Sequence, residues 1–158
     1  MKLATLVPAF AAAALAAPSD PLVARQSSGT STLSYDTKYD VADTSLSTVA
    51  CSDGDFGLVT EGYTNFGSLP TFARIGGAPT IAGWNSPSCG SCYQLSYTSA
   101  TGQTNSIIIT AIDTAPGGFN VGQKAMDLLT GNRAAELGRV DVTWTQVGRE
   151  QCGLSARP

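Results

Sequence analysis

The sequence predicts a small, mostly β barrel in one domain, with one or two short helices. Three observations carry this. Short β-prone runs recur along the chain, some alternating and one apolar on both faces. Glycine, proline and Asp-Gly pairs punctuate them as turns. Four cysteines form an even set suited to two disulfides, in a chain with few large apolar side chains.

Taken in order, Leu33-Ser34-Tyr35-Asp36 starts a short strand. Residues 46–50 read as a second short strand leading into Cys51-Ser52-Asp53-Gly54, a tight turn. Residues 58–60 read as a short strand or coil. Residues 72–75 run into Gly76-Gly77, and residues 93–98 alternate before Gly102 turns the chain. Residues 106–112 are the most β-prone run and apolar on both faces, which places them in a central strand. Val121, Ala125, Met126, Leu128 and Leu129 fall at helical spacing, with Gly131 as C-terminal cap. Asn132 is placed to cap a second short helix over residues 133–137, stopped by Gly138. Residues 139–147 alternate, with Val140, Val142 and Trp144 facing the core. Trp84, in a Gly/Ser/Pro loop, either faces the surface or is structural, and is read as structural.

Residues 1–17 have the form of a signal peptide: Lys2, an apolar Ala-rich run, and a small-x-small end at Ala14-Leu15-Ala16. Residues 18–30 are rich in Ser, Pro and Gly and read as a flexible or processed leader. The folded domain is expected over residues 31–154, with 155–158 as a C-terminal tail.

The net charge of the chain is −3. Setting aside two positive residues (Lys2, Arg25) and one negative (Asp20) leaves −4. No basic stripe is present, so a nucleic-acid partner is not expected, and neither is a membrane partner in the mature chain. Histidine is absent, which removes His-dependent nucleophilic catalysis and most zinc and copper sites. No metal or other cofactor is expected.

Cys51, Cys89, Cys92 and Cys152 admit three pairings. Joining Cys89 to Cys92 would constrain almost nothing. Joining Cys51 to Cys89 and Cys92 to Cys152 would staple the N-terminal half and the C-terminus to the centre.

Ser34-Tyr35-Asp36, Cys51-Ser52-Asp53-Gly54, "GWNSPSCGSC" from Gly83, "AIDTAPGGFNVG" from Ala111, and Gly138-Arg139-Val140-Asp141 together resemble the cerato-platanin family of small secreted proteins of filamentous fungi. The resemblance implies a double-psi β-barrel of about six strands. It implies the pairing Cys51–Cys89 and Cys92–Cys152, and a secreted, extracellular or fungal cell-wall location. It implies chitin-type N-acetylglucosamine oligomers as ligands, with expansin-like loosening of cellulose that breaks no bond. Its implied partners also include the plant immune perception machinery, and copies of the chain itself assembling at surfaces. Carried over residue by residue, the sugar groove falls at Tyr35, Asp36, Asp113, Gly118 and Asn120. Asp113 stands where glycan-cleaving barrel relatives place an essential Asp.

Hydrolysis of a glycosidic bond ordinarily needs two carboxyl groups across it. Asp113 is the only acidic residue directly after a strongly apolar strand, and no second carboxyl group is assignable from sequence. Sugar binding needs less: a carboxylate, an amide, and glycines that let the backbone approach. The expected function is therefore non-catalytic carbohydrate binding, joined by the elicitation of plant defence that the resemblance implies. Weak glycan cleavage through Asp113 and surface self-assembly are the alternatives. Asp113 as a simple turn former is the bland reading. Arg139, Asp141 and Asp53 form either a polar network near the groove or a solvated face.

Overall fold

The structure, a computed structural model, describes residues 26–157. The signal-peptide reading, and the leader up to residue 25, lie outside the described residues. Six strands close a barrel: β1 (Ser28–Tyr35), β2 (Ile75–Ala78), β3 (Cys92–Thr98), β4 (Thr104–Thr114), β5 (Phe119–Val121) and β6 (Arg139–Val147). Their order around the wall is β1-β5-β2-β4-β3-β6. Closure rests on β1, which pairs parallel with β5 and antiparallel with β6. The small, mostly β barrel read from the sequence is the fold observed.

Alternation explains most of the wall. Val140 and Val142 of β6 point inward and face Leu33 and Ser31 across the β1 pairing. Trp144 follows in phase and packs on the core, as its position predicts. Inside, Tyr93, Phe119 and Trp144 meet edge to face, with ring centroids 5.3, 5.7 and 6.2 Å apart. The run predicted as the central strand is β4, lying between β2 and β3, with Ile107, Ile109, Ala111 and Ile112 all buried.

Two helices follow β5: α1 (Gln123–Thr130) and α2 (Ala134–Leu137). Gly131 ends α1 in a left-handed conformation, as expected. The start of α1 is capped from far away, by Asp40 accepting from the amides of Gln123 at 2.9 Å and Lys124 at 3.2 Å. Asn132 does not cap α2. Asp127 of α1 does so instead, accepting from Ala134 N at 2.9 Å.

Other differences have local causes. Residues 46–50 form no strand. Leu46–Thr48 is a 3₁₀ turn whose cap, Ser45, accepts from Ser47 N through its hydroxyl. Hydroxyl side chains offer the backbone that local alternative to a sheet. β5 has only three residues, Phe119 and Val121 buried around Asn120, too few for periodicity to show. β1 begins at Ser28, inside the stretch read as leader. Residues 28–30 are exposed and join the wall through backbone pairing with β6, which leaves no apolar signal. The C-terminal stretch read as a tail is tied down: Arg157 donates to Cys89 O at 2.6 Å and to Phe56 O at 2.7 Å.

The disulfides are Cys51–Cys89 and Cys92–Cys152, as the resemblance implies, closing sequence separations of 38 and 60 residues. Loops of that size are worth about 4 kcal/mol each in the chain-entropy model. Replacing Cys92 and Cys152 together by Ala is expected to lower the unfolding free energy by about that amount in denaturant titration, with the barrel still formed by circular dichroism.

Candidate functional site

The register of the barrel aligns a row across five strands. Asp113 of β4 stands opposite Gly77 of β2, and Gly77 opposite Asn120 of β5. Asn120 stands opposite Ser34 of β1, and Ser34 opposite Arg139 of β6. Asn120 lies between two buried neighbours and therefore points away from the core. Its Oδ1 accepts from the Ser34 hydroxyl at 3.4 Å. Gly77 keeps the row tight: a Cβ there would come within 2.7 Å of Thr114 O.

Asp113 is the most heavily engaged member. Its Oδ1 accepts from Ala50 N at 3.1 Å and from Thr114 N at 2.9 Å. Its Oδ2 accepts from Tyr39 Oη at 3.1 Å and pairs with Lys38 Nζ at 3.4 Å. Only 14% of the side chain is exposed. The Tyr39 phenol is held far above its ordinary range, first by burial and then by the charge and hydrogen bond of Asp113. It stays protonated and remains a permanent donor. Four donors on one carboxylate make Asp113 a junction between β4, the 3₁₀ turn Thr37–Asp40 and the chain before Cys51.

The remaining predicted residues divide. Asp36 caps that same 3₁₀ turn, accepting from Lys38 N at 2.9 Å. Tyr35 packs against the core, on the opposite side of β1 from Ser34, and does not join the row. Gly118 has φ 121°, a conformation suited to glycine, and its missing side chain leaves room for Thr32.

Beside the row lies an open groove of about 840 Å³. Hydroxyls of Thr30, Thr32, Ser96, Thr98 and Thr143 line it, with Asp141 and the turn Pro116–Gly118. Of the residues read as a sugar groove, it contains only Gly118. It is nevertheless the continuation of the same outer face, two residues further along each strand: Ser34 to Thr32, Arg139 to Asp141, Asn120 to Gly118. Arg139 lies across the boundary, donating from Nη1 to Thr32 Oγ1 at 2.7 Å and to Gly117 O at 3.2 Å. Asp53 is not part of this arrangement; it accepts from the Trp84 indole. Arg139 and Asp141 do lie by the groove, as one of their two readings had it. Tyr39, Lys38 and the Ala50 amide were not legible as site residues, because each reaches Asp113 across 63 to 75 residues of sequence.

A closed six-stranded barrel, stapled by two disulfides and carrying this polar outer face, defines a small disulfide-bonded barrel class. The cerato-platanin family model matches residues 31–154. The chain is 51% identical over 148 residues to "Allergen Asp f 15" of Aspergillus fumigatus, covering 94% of this chain and 93% of that one. A crystal structure of cerato-platanin 2 from M. perniciosa superposes with TM-score 0.76 at 50% identity, over 80% of this chain and all of that one. The solution structure of "the fungal elicitor Cerato-Platanin" gives TM-score 0.64 at 45% identity, over 77% and 95%. The chain belongs to the cerato-platanin family.

Replacing Asp113 by Ala leaves the buried Tyr39 hydroxyl without its acceptor, and is expected to cost about 1–3 kcal/mol in denaturant unfolding. A second expectation concerns alkaline pH. The unfolded chain releases the Tyr39 proton near pH 10, whereas the native state retains it, so the native state binds more protons above that pH. Stability linked to this phenol is present below about pH 10 and lost as pH rises beyond it. Tyr39→Phe should show a shallower alkaline loss of stability than the parent.

Proposed function

We propose that the protein is a secreted, carbohydrate-binding protein of the fungal cell wall that holds chitin-type oligomers without cleaving them, and that it acts as an elicitor of plant defence. The outer barrel face carries this reading. It offers an amide at Asn120, a guanidinium at Arg139 and a carboxylate at Asp141, beside a groove lined by hydroxyls. Those groups match the hydroxyl and N-acetyl groups of a neutral oligosaccharide, which need donors and acceptors in mixture rather than one strong charge. Gly117, with open space where a Cβ would stand, lets backbone approach the ligand.

Asp113 supports binding over hydrolysis. A general acid or nucleophile has to offer its oxygens to the substrate. Both oxygens of Asp113 are occupied by the protein's own donors. Its part is to hold the end of the row in place. The elicitor reading draws on the relative described by that word. Expansin-like loosening fits the same face, since it requires contact with a polysaccharide and no bond cleavage.

Titration with N-acetylglucosamine oligomers, followed by amide NMR, is expected to shift resonances at Asn120, Gly118, Thr32 and Thr143. An unperturbed spectrum at millimolar sugar would sink the assignment. Arg139→Ala is expected to weaken binding while leaving the barrel folded. Incubation with the same oligomers should release no shorter products.

A further inference from the structure

Away from that face, the chain presents an aromatic ring used by nothing described so far. Trp84 is 64% exposed, yet it is fixed: its indole N–H donates to Asp53 Oδ1 at 2.6 Å. The loop beneath it is fixed too. Asn85 adopts a left-handed conformation at φ 56°, and its Oδ1 accepts from Phe56 N at 2.9 Å. The Cys51–Cys89 disulfide joins the chain just before Asp53 to the chain just after Asn85.

A free surface Trp gives up rotamer freedom when a ligand stacks on it, whereas this ring is already held. With the indole N–H committed to Asp53, what the ring offers a ligand is its apolar face. Asp53 Oδ1 also accepts from the Ser52 hydroxyl, while Oδ2 accepts no hydrogen bond among the described residues. A fixed aromatic face with a carboxylate oxygen at its edge suits a pyranose: C–H groups pack on the ring while a hydroxyl donates to the acceptor. Asp53 and Asp55 are both exposed, which makes the surroundings acidic and unsuited to anionic lipid or nucleic acid.

We propose that Trp84 is a stacking platform for a neutral sugar ring, with Asp53 as its hydroxyl acceptor. This rests on the glycan-binding reading above and extends it to a second contact. Ala50, whose amide Asp113 holds, is three residues from Asp53, at most about 11 Å along the chain.

The test is tryptophan fluorescence of the intact protein with iodide as quencher, titrated with N-acetylglucosamine hexamer and with cellohexaose. Trp84 is the exposed one of the two tryptophans, so iodide reports on it. Bound oligomer is expected to shield it. Trp84→Ala should weaken binding by about three- to tenfold, with Trp84→Phe recovering most of the loss. Asp53→Ala should weaken binding as well. Circular dichroism and intact disulfides establish that each variant is folded. If the sugar shifts amides around Asn120 while quenching is unchanged and Trp84→Ala binds like the parent, the platform is wrong and the glycan reading stands. If no oligomer produces any response, both fail.

Discussion

One carboxylate gathers donors from three separate places in the chain, and the layer outside the barrel depends on it. The stretch between β1 and β2 contains no strand, only 3₁₀ helices, turns, bends and the single bridge between Ser45 and Asn65. It must bury Tyr39, Leu46, Leu58 and Phe66 without a ladder of its own. A buried phenol needs an acceptor, and Tyr39 finds it in Asp113. The same carboxylate holds the Ala50 amide, one residue before a disulfide. The apolar packing of the Tyr39 and Phe66 rings, 6.0 Å apart, and the polar junction beside them therefore secure the same segment.

This junction also shapes what the site can do. An aspartate at the end of an apolar strand looks, from its neighbours alone, like a candidate catalyst. Its surroundings in space engage both its oxygens with the protein's own donors. Beyond it on the outer wall, Asn120, Ser34 and Arg139 present polar groups. Arg139, anchored on Thr32 and Gly117, divides that wall into a row and a groove without closing either.

The sequence was informative where physics is local. Alternation over residues 139–147 marked β6, the apolar run before Asp113 marked β4, and Gly131 marked the end of α1. It was silent where a structure is built by partners far apart. Nothing near Asp113 announces Tyr39, and nothing near Gly122 announces that Asp40 will cap the helix that follows. β5 escaped notice because three residues carry no period, and the first residues of β1 because backbone pairing alone holds them. Tyr35 shows the converse. A motif placed it at the site, but the two-residue period of β1 sends it toward the core while its neighbour Ser34 faces outward.

The closure of the barrel by β1 bears on how copies of this protein can meet. An open sheet offers unpaired amides and carbonyls along its margin, and a second chain can extend it. Here β1 pairs with β6 over Ser28–Ser34 but with β5 only over Leu33–Tyr35, so the margin left without a strand partner on β1 is confined to Ser28–Thr32. Extension of the sheet beyond those five residues of β1 would require β1 to part from β5 or β6.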